Sequence, residues 1–258
     1  MPTALITGAS SGIGAAFARQ LAAAGYHLVL VARDGARLSA AGDALTRVGA
    51  PAVEVLVADL TDPAARALVA ARLDDPDRPI DLLVNNAGIG LGRSFAEVSE
   101  GELVTQLELN VTAVLLLTKA ALPAMTARRS GAVINVASIA GLVPNPGASY
   151  AGTKAWVVAF TEGLAITLRG SGVRVQALCP GLVRTDFHRR AGIDLGRTPS
   201  ATYLSVDTVV ARSLTDLRRG RVISVPGALY RILAVAPRLL PRPLTRALAA
   251  RAYAVRGN

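Results

Sequence analysis

Short apolar runs of β character alternate with segments of helical period from the first residues to about residue 225. This alternation constrains the fold more than any other feature. A strand, a helix and a second strand close with a right-handed crossover, and repeats of that unit build a parallel sheet covered on both faces. The period places strands at residues 3–7, 27–32, 53–58, 80–84, 132–138, 174–179 and 221–225. Helices are expected at 12–24, at 34–48, from 63 onward, from 99 to about 128, and at 149–169 and 207–218. Local signals agree: Gly25 and Gly49 close the first two helices, and Asp62-Pro63 supplies an N-cap followed by proline at the first helical position. Ser99-x-x-Glu102 forms a capping box ahead of the long helix. The expectation is an α/β fold, a doubly wound parallel sheet of about seven strands. No linker or composition break precedes residue 226, so residues 1–225 read as one domain and 226–258 as a C-terminal extension.

Composition supports a large core. The chain has 258 residues, 52% of them apolar, which excludes a mainly disordered protein. A lone cysteine, Cys179, forms no internal disulfide, and the start MPTALITGAS lacks the basic, apolar and small-residue order of a signal peptide. No run of about 18 uncharged apolar residues is present. The expected setting is therefore cytoplasmic, with at most a peripheral contact at a membrane surface. The net charge is +10, and only Lys119 and Lys154 are lysines. Arginines are scattered as far as residue 218 and then recur to the end. One reading is an Ala/Arg bias in coding; the other, kept for the tail alone, is attraction to anionic ligands or a membrane. Nucleic-acid binding is set aside, because no basic stripe is concentrated and aromatics make up 4%.

After the first strand comes Thr7-Gly8-Ala9-Ser10-Ser11-Gly12-Ile13-Gly14. Glycines between a strand and a helix let backbone N–H groups approach a pyrophosphate, and the positive end of the helix dipole favours the anion. The spacing is G-x-x-x-G-x-G; a plain tight turn is the alternative. Arg33 lies 19 residues beyond Gly14, just past the second strand. An acid near this spacing grips the ribose 2′-hydroxyl of NAD, and an arginine accepts the 2′-phosphate of NADP. Asp34 then caps the next helix. NADP(H) is therefore expected over NAD(H).

Tyr150 and Lys154 are four residues apart, on one face of a helix. A neighbouring ammonium stabilises phenolate, so Tyr150 is expected to titrate below its usual value and pass a proton to a carbonyl oxygen. Taken alone, the pair also fits an ordinary helix surface. Ser138 ends the fifth strand at the carboxyl edge, where it either meets a substrate oxygen or caps a turn. Asn85-Asn86-Ala87-Gly88 follows the fourth strand at the same edge, with simple turn chemistry as the alternative. Asn110 lies in an apolar helical stretch, where a buried amide must find partners.

Taken together and in this order, these residues resemble the short-chain dehydrogenase/reductase family, single-domain and Rossmann-like, over residues 3–225. The resemblance implies interconversion of a carbonyl and an alcohol by hydride transfer. It implies that Tyr150 is the general acid/base, that Lys154 lowers its pKa and holds the nicotinamide ribose, and that Ser138 orients the carbonyl. Asn110 would anchor a water linking Lys154 to solvent. For the cofactor it implies Gly8, Ser10, Ser11, Gly12, Ile13 and Gly14 at the phosphates, and Arg33, Asp59 and Leu60 around the adenosine. Asn86, Ala87 and Gly88 would line its far side. Pro180, Gly181, Val183 and Thr185 would lie near the carboxamide. The family is often oligomeric through its long helices, here 99–128 and 149–169, so a homo-oligomer is expected.

Residues 186–205 occupy the stretch that covers the substrate in that family. They include Phe187, His188, Arg189, Arg190, Ile193, Leu195 and Tyr203, which suit either a lipophilic carbonyl with an anionic end or an ordinary lid. His188 reads as a surface residue. The tail carries Arg231, Arg238, Arg242, Arg246, Arg251 and Arg256 among leucines and alanines, with prolines at 237, 241 and 243. It is expected to pack on its own domain or a partner subunit, with a membrane interface as the alternative. An NADPH-dependent carbonyl reductase acting on a small molecule is the leading function. The rival is a catalytically silent NAD(P)-binding regulator, which has no need of the Ser138, Tyr150 and Lys154 set.

Overall fold

A computed structural model describes residues 1–144, 147–193, 199–235 and 240–254. Among these, seven parallel strands form one sheet: β1 (Thr3–Thr7), β2 (His27–Ala32), β3 (Val53–Val57), β4 (Leu82–Asn85), β5 (Gly131–Val136), β6 (Val173–Leu178) and β7 (Ile223–Ser224). Their order is β3-β2-β1-β4-β5-β6-β7. The order reverses between β1 and β4, and a doubly wound sheet opens its ligand crevice at the carboxyl end of such a switch point.

Each strand sends alternate residues to opposite faces. Ala4 and Ile6 of β1, with Leu28 and Leu30 of β2, join a core closed by α1 (Gly12–Ala23), α2 (Gly35–Arg47) and α8 (Val206–Arg218). Leu5, Val29 and Val31 point the other way, against α3 (Pro63–Asp74) and α5 (Ala113–Ala127). On that side α6 (Ala148–Thr167) places Val157 and Val158 against Ala137 just past β5, Ala177 in β6 and Cys179 just past it. The expected fold class holds.

Expected and observed boundaries coincide at β1 and β2 and differ by one or a few residues elsewhere. Asp62 caps α3 by accepting from Ala64 and Ala65, with Pro63 in its first turn. The fourth strand is displaced, to Leu82–Asn85, and the seventh is trimmed to two residues.

The helix expected from 99 to 128 is interrupted. After α4 (Glu100–Leu107), capped by Ser99 and Glu102, a π turn spans Glu108–Thr112 before α5 begins. Such single turns of wider winding tend to mark functional sites. This one holds Asn110. By length and composition residues 100–127 would also reach across a bilayer, but Leu117, Ala121 and Met125 are buried against the sheet. Its outer face leaves Val104, Leu107, Leu115 and Leu116 exposed.

The C-terminal extension folds as α9 (Ala228–Val235) and α10 (Arg242–Ala254). Tyr230 and Ala234, one turn apart, are buried, and the Tyr230 hydroxyl donates to Thr202 O at 2.7 Å. A β-carbon on Gly181 would run into the Tyr230 ring. The outer side of α9 leaves Leu229, Ile232, Leu233 and Val235 exposed. Leu195, Pro237, Arg238 and Arg256, named above from the sequence, lie outside the described residues.

Candidate active site

The carboxyl edge opens into a cleft of about 2280 Å³. It runs from Arg33 at the end of β2, past Ser10, Ser11 and Ile13, to Ser138, Tyr150 and Lys154.

The glycine turn forms its near wall. Gly8 (φ 64°) and Gly12 (φ 56°) have left-handed backbones that side-chain-bearing residues rarely adopt. A β-carbon on Gly8 would meet the Ala87 backbone at 3.1 Å. Gly14 lies beneath the turn, away from the cleft, where a β-carbon would strike Gly8 O and the Asn86 amide. Ser11 is the N-cap of α1 but makes no side-chain cap bond, and the first turn carries no acidic residue.

The segment after β4 braces this turn from behind. Asn86 Nδ2 donates to Thr7 O at 2.9 Å and to Gly8 O at 3.2 Å. In return the Thr7 hydroxyl accepts from Asn86 N and Ala87 N. The first βα junction and the end of β4 are thus stapled together at the switch point. Thr7 takes part in three of these four bonds. The sequence gives it no sign of that role, because its partners lie some 79 positions away.

At the far rim of β2, Arg33 pairs with Asp59 at 3.7 Å. Burial pushes the Asp59 carboxyl up, but two hydrogen bonds from Thr61 and the Arg33 guanidinium outweigh it and hold it below the usual carboxylate range. Leu60 lines the cleft; Asp59 does not. Arg37, not singled out from the sequence, lines the same end. Its four-residue offset from Arg33, spanning the α2 N-cap, is the signal that would have found it.

The other end collects residues from β5 and α6. Lys154 is 4% exposed, and its amine donates to Val136 O at 2.8 Å. Gly88 makes room for it, since a β-carbon there would lie 3.4 Å from Nζ and 3.1 Å from Asn110 Oδ1. Ser138, two residues past Val136, caps the following turn by accepting from Ala140 N and also hydrogen-bonds Tyr150. The turn-cap reading of Ser138 therefore holds. The Asn110 amide is spent on protein groups: Oδ1 accepts from Ile89 N, and Nδ2 donates to Ile89 O and Thr153 Oγ1. Asn110 thus ties the loop after β4 to α6 one residue before Lys154.

The acidity of the pair differs from expectation. Burial pushes the Tyr150 phenol up to about 12, with the Ser138 hydrogen bond opposing it. Burial likewise pulls the Lys154 amine down to about 8. The amine lies 5.8 Å from the Tyr150 ring centre and spends its hydrogen bond on a backbone carbonyl. Loss of solvation therefore dominates the attraction that the i, i+4 spacing suggests. In this setting Tyr150 holds its proton at neutral pH.

A lid closes the remaining side. Pro180, Gly181 and Val183 line the cleft after β6, and Thr185 packs near Gly12. The short helix α7 (Phe187–Arg190) follows, with the Phe187 ring 5.6 Å from that of Tyr150. Gly92 N donates to Ala191 O at 2.7 Å, holding the lid to the loop after β4. His188 is half-buried rather than a surface residue, and burial pulls its imidazole below the usual value. The Phe187 contact pairs residues 37 positions apart, so only the fold reveals it.

Comparison with known proteins decides the family. The short chain dehydrogenase family model matches residues 2–195. The chain belongs to the short-chain dehydrogenase family. This short-chain dehydrogenase is 40% identical over 185 residues to the oxidoreductase UcpA of Escherichia coli (strain K12), covering 71% of this chain and 70% of that protein. Its fold is similar to a short-chain dehydrogenase from Sphingobium yanoikuyae in complex with NADPH, with TM-score 0.85, 37% identity and coverage of 100% and 96%. It is also similar to the bulky-bulky ketone specific alcohol dehydrogenase from Comamonas testosteroni, with TM-score 0.81, 31% identity and coverage of 93% and 92%. The protein is accordingly an oxidoreductase of this family.

With Lys119 and Lys154 its only lysines, the protein suits NMR of ¹³Cε-labelled lysine. The Lys154 resonance is expected to titrate near 8. Titration at the ordinary ~10.4 would show that the amine is not desolvated as described.

Proposed function

We propose that this short-chain dehydrogenase reduces a lipophilic ketone or aldehyde at the expense of NADPH, reversibly, in the cleft between the glycine turn and the lid. The observation that carries this reading is the convergence of Ser138, Tyr150 and Lys154 at one end of a cleft whose other end holds Arg33 and Arg37. The chain fits a dinucleotide. The turn presents an unblocked wall at Gly8 and Gly12, the first turn of α1 bears no competing acid, and the two arginines suit a 2′-phosphate. The bound NADPH of the Sphingobium relative and the bulky ketones of the Comamonas relative support the same assignment.

A bound nicotinamide supplies or accepts the hydride. The protein's own residues manage position and protons. Ser138, within reach of the phenol, orients the substrate oxygen. Tyr150, held protonated by its surroundings, donates the proton to that oxygen during reduction. Lys154, a buried ammonium below about pH 8, provides the positive charge that offsets phenolate as it forms. Asn110 acts through what it holds, the Ile89 loop and Thr153, and is a positioning residue. Phe187 forms an apolar wall beside Tyr150 and, with Leu91, Phe95 and Ile193 in the same cleft, favours an apolar substrate. Tyr150→Phe is expected to lower ketone reduction by roughly 10²–10⁴-fold with NADPH affinity, read by fluorescence titration, retained. Undiminished turnover would remove Tyr150 from the reaction.

NADPH preference rests on Arg33 and Arg37. We expect kcat/KM for NADPH to exceed that for NADH by about tenfold or more, the factor that ~1.4 kcal/mol represents. The doubly substituted Arg33→Ala/Arg37→Ala protein should lose that preference. Equal use of both cofactors by the native protein would contradict the assignment.

We also propose a homo-oligomer built on the outer face of α4 and α5, where Val104, Leu107, Leu115 and Leu116 are exposed and Leu115 shares a groove with Phe160 of α6. The tail is proposed to pack on its own domain through Tyr230, leaving membrane contact as the alternative. Sedimentation should give a species heavier than 26.6 kDa, reduced to a monomer by Leu115→Glu/Leu116→Glu. Flotation with anionic liposomes should leave the protein in the soluble fraction. Flotation that Ile232→Asp/Leu233→Asp abolishes would favour the membrane instead.

A further inference from the structure

We propose that Arg190 of the lid is a ligand of the dinucleotide's diphosphate, closing the side of the phosphate site that the glycine turn leaves open. This rests on the cofactor assignment above and adds to the glycine turn a residue from the lid, 179 positions away.

The lid carries neighbouring arginines with different employments. Arg189 pairs with Asp186 at 2.9 Å, inside the lid itself. Arg184 donates to Ser200 O and lies 5.1 Å over the Tyr203 ring, again within the lid. Arg190 instead reaches across the cleft and donates to Ser11 Oγ at 2.8 Å. Among the described residues it has no carboxylate partner, although it lines the cleft.

Its placement needs an explanation. Ser11 is the N-cap of α1, so the guanidinium stands at the positive end of a helix dipole. A cation there is disfavoured; an anion is favoured. The first turn of α1 contains no acidic residue to relieve the repulsion, and the Ser11 hydroxyl makes no cap bond of its own. A phosphate between Arg190 and the turn removes the conflict, since both the guanidinium and the backbone N–H groups donate to it. One Arg190 nitrogen is engaged by Ser11, and a guanidinium has further N–H donors, suited to two phosphate oxygens at once.

The position also has a consequence for the substrate side. Arg190 and Phe187 share α7, and Phe187 rests against Tyr150. Gly92 N holds the adjoining Ala191 O on the other flank. A diphosphate that grips Arg190 therefore holds the apolar wall in place over the reacting end. Cofactor binding and the shaping of the substrate pocket become one event.

The test is fluorescence titration of NADPH into the full-length protein and its Arg190→Gln, Arg190→Lys and Arg189→Gln variants, with 2′-AMP, which lacks the diphosphate, as competitor. Arg190→Gln is expected to raise the NADPH Kd about tenfold or more, in keeping with loss of a charge-assisted hydrogen bond. Its 2′-AMP inhibition constant should stay unchanged, Arg190→Lys should recover part of the loss, and Arg189→Gln should bind like the native protein. An unchanged NADPH Kd in Arg190→Gln overturns the proposal. So does equal weakening of NADPH and 2′-AMP, or equal weakening by Arg189→Gln, because either reports general damage to the lid or fold. Failure of the native protein to bind NADPH at all overturns the cofactor assignment and, with it, this inference.

Discussion

The bond from the Lys154 amine to Val136 O fixes the geometry on which the rest of the site depends. Burying an ammonium is costly unless it is hydrogen-bonded or paired, and here a backbone carbonyl at the end of β5 supplies the partner. The residual cost is visible in the amine's fall to about 8. In return α6 is fastened to the carboxyl end of β5. Tyr150 then stands one helical turn from the anchor, and Ser138 two residues beyond it. Gly88 and Asn110 complete the pocket, the first by lacking a β-carbon and the second by tying the neighbouring loop to Thr153.

A second fastening, between Thr7 and Asn86, does the same at the glycine-turn end. It joins β1 to β4 across the point where the strand order reverses. Two polar clamps therefore set the two ends of one cleft, and the parallel sheet between them keeps their separation constant. The third wall is the lid, which contributes Phe187 at one end and Arg190 at the other. Rigid scaffold and adjustable cover are thus divided between the sheet edge and residues after β6, a division suited to a family that acts on many substrates.

Most of the fold was legible in the chain because its strands are short and apolar and, except at the β3 edge, mostly buried. β1 and β2 stood out at their observed limits, since nearly every residue between their turns is apolar or small, His27 excepted. The Asp62-Pro63 and Ser99-x-x-Glu102 caps worked as local chemistry demands. The π turn at Glu108–Thr112 was not legible. Its amide partners, Ile89 and Thr153, come from other parts of the chain, so no periodicity announces it. In the site, the glycine turn, Ser138, Tyr150 and Lys154 could be named from spacing and strand ends. The acidity of Tyr150 could not, because its sign depends on how deeply the phenol sits, and burial reversed the shift that the nearby lysine suggests. The bonds of Thr7 to Asn86 and of Arg190 to Ser11 were likewise hidden, each made with a neighbour that only the folded chain brings close.

The central claim is that one cleft holds a dinucleotide with its phosphates on the first glycine turn and its reacting end beside Tyr150 and Lys154. A crystal structure of the protein grown with NADP⁺ tests it most directly. Electron density is expected for the diphosphate against Gly12 and Ile13 and for the nicotinamide beside the Tyr150 hydroxyl, with Lys154 facing its ribose. A dinucleotide seated elsewhere on the molecule, or Tyr150 and Lys154 turned away from it, would contradict the account.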